Sequence, residues 1–338
     1  MTAFTAFVVI KKFDAIFRIC SFAFLRSYWI TMRPYLLFVS GITGIAGLSF
    51  APVLSLPITL LLGAVFFLSY GFGQALTDCF QMDTDALSSP YRPLSQGIIQ
   101  REDILRVSLA GLVLSGIIVG LCSPVNIPLS TCAVLGLATY TYFKRRWWGG
   151  PWYNAWIVTV LCLIAYVAGV GCCRGEVVVS LPMLATFGVV FFGYANFVLT
   201  GYYKDISADR ATGYNTLPVR FGLRISNFAS DLLSVGTLLS CGVALTLIVD
   251  VDDPVVRILP PLAFAAVGLC ASGIAQLRLH RIRHEGEAHG AIVPVVYAYV
   301  LLLSSIAAAM KPGWIMALIV YYGVFVWTMR SRPVREQI

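Results

Sequence analysis

Ten mostly apolar runs succeed one another along the chain, at residues 33 to 51, 55 to 79, 104 to 122, 126 to 143, 152 to 172, 181 to 203, 227 to 249, 254 to 279, 291 to 309 and 312 to 329. Each has about the 20 residues that a helix needs to cross a bilayer. The connections between them are short, so the pattern predicts a bundle of membrane-spanning helices with no separate soluble domain. Residues 1 to 32 form an N-terminal arm, 33 to 330 a single transmembrane domain, and 331 to 338 a tail. In the arm, Phe4, Phe7, Phe13, Phe17 and Phe22 alternate with Lys11, Lys12, Arg18 and Arg26. That interleaving predicts a helix lying in the membrane interface. A cleaved signal or transit peptide fits less well, because the apolar stretches are short and no small-x-small cleavage site stands out.

Composition agrees with the pattern: of 338 residues, 59% are apolar and 12% charged, against about 45–50% and about 25% in soluble domains. The net charge of +8 raises the question of a nucleic-acid partner, and the distribution of the charge answers it. The arm, the tail and the loops after even-numbered runs, with the run ends that border them, hold all 24 Lys and Arg except Arg174, Arg257 and Lys311. The positive-inside rule then places both termini and these loops in the cytoplasm, and no nucleic acid is needed to explain the charge. The nine cysteines lie mostly in or beside apolar runs and read as small hydrophobes, without metal-type spacing.

The 16 acids are not evenly spread. Asp78, Asp83 and Asp85 follow the second run, and Asp205 and Asp209 follow the sixth. Carboxylates near a membrane are costly without compensating cations. On a continuous helix Gln74, Thr77, Asp78, Gln81 and Asp85 share one stripe, from which Asp83 points away. Asp205 and Asp209 are likewise on one face, beside Tyr202. Each cluster is followed by basic residues, Arg92 and Arg101 in one case and Arg210, Arg220 and Arg224 in the other. Two related halves with facing acidic ends make a site for Mg²⁺ and a diphosphate, carboxylates holding the metal and the bases neutralising the remaining phosphate charge. Solvated helix caps paired with Arg92 or Arg210 are the plainer alternative. His280 and His284, at i,i+4, could chelate a metal, but Arg278, Arg281 and Arg283 around them favour a solvated loop.

The second cluster resembles a motif of the UbiA-type intramembrane prenyltransferases. Lys204-Asp205-Ile-Ser-Ala-Asp209-Arg-Ala-Thr-Gly213-Tyr-Asn-Thr216-Leu-Pro218-Val-Arg-Phe-Gly222 is similar to the family's DxxxD followed by Gly and Thr-Leu-Pro. The family's first motif, NDxxDxxxD with a downstream Arg-Pro-Leu/Ile and Gly, is matched by Arg92-Pro93-Leu94 and Gly97. Counting back puts Thr77 on the Asn, Asp78 on the next Asp, Gln81 on the middle Asp and Asp85 on the last. Two positions thus depart from the pattern, and Asp83 is placed to restore the charge that Gln81 lacks. Tyr140, Lys144 and Asn154 form a weaker third match.

The resemblance, from about Arg33 to Gly222, implies an all-α, polytopic helix bundle of nine to ten transmembrane helices, built as two related four-helix halves plus C-terminal helices. It implies transfer of an isoprenoid chain from a prenyl diphosphate to an aromatic or other lipophilic acceptor, by Mg²⁺-assisted ionisation to an allylic cation. Asp78, Asp85, Asp205 and Asp209 are the expected catalytic metal ligands, with Gln81 and Asp83 contributing. Arg92, Lys144, Lys204 and Arg210 are the expected diphosphate binders. Tyr70, Tyr140, Tyr153, Tyr194 and Tyr202 could stabilise the cation through their ring faces. Two other activities are compatible with the sequence: a terpene cyclase of the same fold, acting on the diphosphate alone, and a transporter with two similar halves, although transporter sites usually lie near the midplane rather than at one end.

Overall fold

The computed structural model describes residues 18–250, 252 and 254–331. Most of the N-terminal arm and all but the first residue of the tail therefore lie outside the described residues. Thirteen α-helices form, and no strand, among the described residues. In chain order they are α1 Phe22–Thr31, α2 Leu37–Ser49, α3 Leu56–Asp78, α4 Met82–Ser88, α5 Arg101–Cys122, α6 Asn126–Arg146, α7 Gly150–Cys172, α8 Leu181–Gly201, α9 Ile206–Ala211, α10 Leu217–Ile248, α11 Val255–Leu279, α12 Ala288–Met310 and α13 Ile315–Ser331.

The ten expected runs coincide with the ten long helices, all but α1, α4 and α9. Eight of the ten are long and apolar enough to cross a membrane. The segment Pro34–Ser49 is apolar but shorter. Helix α6 is 21 residues long, and its apolar character is diluted by Ser130, Thr131, Thr139, Thr141, two tyrosines and the Lys144-Arg145-Arg146 end. One boundary moves far from expectation. Helix α10 starts at Leu217, ten residues before the predicted run, because Thr216 is in extended conformation at its N-cap and Pro218 sits in its first turn, where a missing N–H costs nothing. It bends at Gly222, whose φ of 77° and ψ of 174° are open only to glycine.

The outer surface is apolar, as a bilayer requires. Leu109, Val113, Leu114, Ile117 and Leu121 of α5 and Leu259, Leu262 and Leu269 of α11 all face outward. Helix α12 is the opposite case, almost wholly buried against α2, α8, α10 and α11. Polar pairs join the inner helices: Thr43 to Tyr299 at 2.6 Å, Asn196 to Ser230 at 2.6 Å and Ser234 to Ser272 at 2.6 Å. Such bonds orient helices where the hydrophobic effect gives little preference.

The two halves meet at the basic end of the bundle. There the short helices α4 and α9 each follow a long one, and Thr84 of α4 hydrogen-bonds Thr212, just past α9, at 2.8 Å. The described part of the arm docks beside α3 and α5. Phe24 and Tyr28 turn inward, the Tyr28 hydroxyl lies 2.9 Å from Ser108 Oγ, and Phe22, Leu25 and Trp29 face out. Buried Asp103 pairs with Arg18 at 3.4 Å and Arg106 at 2.9 Å. All nine cysteines are free, and Cys79, Cys162 and Cys241 are buried as expected, whereas Cys132 and Cys270 are exposed.

Close helix contact depends on glycine at Gly136, where a Cβ would lie 2.7 Å from the Trp156 ring and 2.9 Å from Ile157 Cγ1. Gly136→Leu should therefore separate α6 from α7 and cost about 1–3 kcal/mol. A fall in the temperature at which the detergent-solubilised protein loses its monodisperse elution peak checks this.

Candidate active site

The first acidic segment does not run as one helix. Helix α3 ends at Asp78, the chain turns through Cys79 to Gln81, and α4 resumes at Met82. The break leaves the predicted stripe intact in function, since Gln74, Thr77, Asp78, Gln81 and Asp85 all line one cavity. The second segment is interrupted in the same manner, by a 3-10 turn at Tyr202–Lys204 before α9. Gly213, with a φ of 76°, closes α9 in the left-handed region and turns the chain toward Thr216.

The cavity, about 670 Å³, takes Asp78, Asp85 and Arg92 from one half and Lys204 and Asp205 from the other. Its charges are arranged in pairs. Asp78 accepts from Arg33 Nη2 at 3.0 and 3.2 Å and from Gln74 Nε2 at 2.7 Å. Arg92 Nη1 is 2.6 Å from Asp85 Oδ2 and 3.9 Å from Asp78 Oδ1. Lys144 Nζ, almost wholly buried, donates to Gln81 Oε1 at 3.1 Å and lies 3.4 Å from Asp209 Oδ1, so one ammonium bridges the two segments. It also sits 5.0 Å from the centroids of the Tyr202 and Tyr214 rings. The Tyr140 and Tyr202 hydroxyls meet at 2.6 Å.

Burial pushes the Asp85 and Asp209 carboxyls above the usual carboxylate range, while Arg92 and Lys144 respectively pull them back. For Arg92 burial opposes the charge, but Asp85 and Asp78 outweigh it and hold the guanidinium protonated. Three acids of the lining, Asp78, Asp85 and Asp205, stand against four bases, Arg33, Arg92, Lys144 and Lys204, and Asp209, buried outside the lining against Lys144, brings the formal charge of the site to zero. An entering polyanion would need to bring its own cations.

The donor set fits Mg²⁺ entering with such a ligand. Asp205 Oδ1 and both carboxylate oxygens of Asp209 are buried and accept no hydrogen bond, with the Lys144 ammonium 3.4 Å from Asp209 Oδ1, a costly state that a further cation relieves. Among the described residues no three Asp, Glu, His or Cys side chains converge into a ready metal cage. Mg²⁺ does not ask for one, because it commonly takes one or two carboxylates and completes its shell with water and phosphate oxygens.

Three predicted site residues are outside the cavity lining: Asp209, fully buried against Lys144, and Asp83 and Arg210. Asp83 is exposed and outside the cavity lining, bound by Arg145 and by the Tyr214 hydroxyl at 3.2 Å. It ties the end of α6 and the loop after α9 to α4 and does not restore the charge missing at Gln81. Arg210 is also exposed and outside the lining. Tyr153 bonds Thr139 at 2.7 Å and stacks on Phe143, away from the cavity that Tyr70, Tyr140, Tyr194 and Tyr202 line. His280 Nε2 is 2.8 Å from Asp231 Oδ2, at the end of the bundle that carries both acidic segments. Conversely, the structure brings Arg33 into the lining of the cavity. Its only sequence signal is a base directly before Pro34 at the head of an apolar run, and a left-handed backbone (φ 53°) at this residue precedes that proline.

Beyond the charged cavity lies an apolar chamber of about 880 Å³, walled by α3, α5, α6 and α7. Both spaces share Tyr70, Gln74, Thr77, Asn154 and Tyr194 in their linings. A molecule with an anionic head and an apolar tail would cross at these five side chains.

The fold and motifs agree with known proteins. Residues 37–289 match the UbiA prenyltransferase family. The digeranylgeranylglyceryl phosphate synthase of Thermococcus sibiricus is 25% identical over 214 residues, 62% of this chain and 73% of that protein. The chloroplastic chlorophyll synthase of Oryza sativa subsp. japonica is 26% identical over 172 residues, which cover 47% of this chain and 43% of that one. Among solved structures, an apo UbiA homolog from Aeropyrum pernix K1 superposes with a TM-score of 0.67 at 16% identity, over 80% of this chain and 96% of the other. A UbiA homolog from Archaeoglobus fulgidus bound to GPP and Mg²⁺ gives 0.59 at 19% identity, over 84% and 99%. With both acidic segments on one cavity and a family match over most of its length, this chain belongs to the UbiA prenyltransferase family.

Proposed function

We propose that the protein is a multi-pass, Mg²⁺-dependent prenyltransferase that moves the isoprenoid chain of a prenyl diphosphate onto a lipophilic acceptor within the bilayer. The observation that carries this reading is the junction of a charge-paired cavity with an apolar chamber. Two similar proteins are named as synthases of a prenylated glyceryl phosphate and of chlorophyll, so transfer is favoured over cyclisation.

Asp78, Asp85, Asp205 and Asp209, with the Gln81 carbonyl, would hold Mg²⁺. When bound, that ion supplies positive charge to the phosphate oxygens. Arg33, Arg92, Lys144 and Lys204 surround the diphosphate and stabilise the charge it gains as the allylic C–O bond breaks and the electron pair leaves with it. Electrostatic stabilisation of this kind is strongest in a site closed to water. The tail occupies the apolar chamber, and the allylic carbon sits at the shared rim, where Tyr70 and Tyr194 offer ring faces to the developing cation. An electron pair of the acceptor then forms the new bond. Water is kept from the cation by the apolar walls.

Incubation of purified protein with Mg²⁺, prenyl diphosphates of several lengths and membrane extract, followed by identification of the prenylated product, tests the activity. Asp78→Ala and Asp209→Ala should each lower turnover by about 10²-fold or more with unchanged elution on size exclusion; full activity in both would remove the assignment. Chamber size should set tail length. Gly116 lines it with Ser130 nearby, and a Cβ added there would meet Ser130 Cβ at an ordinary 3.6 Å. Gly116→Leu should thus fold yet lower kcat/KM for long tails relative to short ones by about tenfold, as read in competition assays with mixed diphosphates.

The basic end of the bundle, with both acidic segments, faces the cytoplasm by the positive-inside rule. Cys173 is exposed at the opposite end, in the loop between α7 and α8. A membrane-impermeant maleimide should label it in intact cells and not from the cytoplasmic side of sealed inverted vesicles; the reverse pattern would invert the orientation.

A further inference from the structure

Asp205 occupies a position where aspartate ordinarily serves another purpose. It is the N-cap of α9, and an N-cap carboxylate commonly accepts from the N–H of the second or third helical residue. Here the Asp205 side chain makes no capping bond. The N–H of Ser207, second residue of α9, donates instead to Glu285 Oε2 at 2.8 Å, and the Ser207 hydroxyl donates to Glu285 Oε1. Glu285 lies 78 residues further along, in the loop that joins α11 to α12.

That loop is itself pinned. His280 Nε2 lies 2.8 Å from Asp231 Oδ2, and the Arg283 N–H donates to Glu287 Oε2 at 2.9 Å. Glu285 is thus presented to α9 from the C-terminal helix pair. Relieved of capping, Asp205 lines the charged cavity, with Oδ1 buried and accepting no hydrogen bond.

We propose that Glu285 is a positioning residue: it caps α9 in place of Asp205 and thereby leaves the Asp205 carboxylate turned to the diphosphate cavity. The physical ground is competition for one donor. The first N–H groups of a helix have no partner within it and must find an acceptor. Without Glu285, the Asp205 carboxylate, at the N-cap two residues before Ser207, is the side chain that ordinarily serves this N–H, and turning it there removes it from the cavity. The inference rests on the reading of Asp205 as a cation-holding side chain.

The test uses purified full-length protein in detergent, with Mn²⁺ and inorganic pyrophosphate as probes and free Mn²⁺ followed by electron paramagnetic resonance. Glu285→Ala removes both bonds from Ser207 and should weaken Mn²⁺ binding by about tenfold. Glu285→Gln, which keeps an acceptor oxygen, should restore most of it. Ser207→Ala, which removes only the exposed hydroxyl, should give a smaller loss and serves if Glu285→Ala does not fold. In turnover assays the Mg²⁺ half-saturation should move in the same order, whereas a purely structural role would lower the active fraction and leave the Mn²⁺ affinity of the folded protein unchanged. Unaltered Mn²⁺ affinity in Glu285→Ala or Ser207→Ala, or Glu285→Gln as weak as Glu285→Ala, overturns the proposal. Should Asp205→Ala bind Mn²⁺ as tightly as the unmodified protein, the cation reading of Asp205 fails, and this proposal with it.

Discussion

Opposite charges held out of water at one end of an apolar bundle are the constraint around which this protein is built. Taking a carboxylate or an ammonium from water into such surroundings costs several kcal/mol even after relaxation. Lys144 is nevertheless 4% exposed and Asp209 fully buried, 3.4 Å apart. Their attraction repays only part of that cost, since the Asp209 oxygens accept no hydrogen bond. Such an arrangement gives little to stability. It has a use if a charged ligand completes it, and a site that is neutral when empty admits a polyanion best when the polyanion arrives with divalent cations.

The helices serve this arrangement. Both long helices that lead to acidic segments, α3 and α8, stop short of their last carboxylate, and a short helix takes over after a turn. Breaking a helix exposes unpaired N–H and C=O groups, which is tolerable at membrane depth only when a cavity or another element receives them. The breaks keep the acidic segment's side chains on the faces that one continuous helix would have given them. Gln81 and Asp85 reach the same cavity as Asp78, while Asp83 turns out to a clasp with Arg145 and Tyr214. The loop carrying Glu285 adds a third element to this end, so the C-terminal helices contribute to the site although they carry none of its acids.

The family's motif glycines and proline acquire physical reasons in the same region. Gly213 ends α9 and Gly222 bends α10, both at positive φ, and Pro218 occupies the first turn of α10. The departure at Gln81 also becomes intelligible. Gln81 hydrogen-bonds Lys144 through its carbonyl oxygen, at 3.1 Å, which gives the lysine a partner without adding a further charge to a balanced site.

Much of this was written in the order of residues. Ten apolar runs fix ten long helices because a bilayer leaves the backbone no partner but itself, and the spacing within each acidic cluster marks its residues as neighbours. Arg92, Lys144 and Lys204 could be named from their places beside those clusters. Arg33, by contrast, lies 45 positions before Asp78, and Glu285 lies 78 beyond Ser207, so only packing brings them to their partners. The exposure of Arg210 was equally hidden, because it depends on where a helix breaks and how the next one docks, whereas the outward turn of Asp83 already follows from helical spacing. Hydrophobic pattern determines which segments leave water; which charges then meet is decided by the packing of those segments, since only close approach in a dry interior makes one ion pair preferable to another.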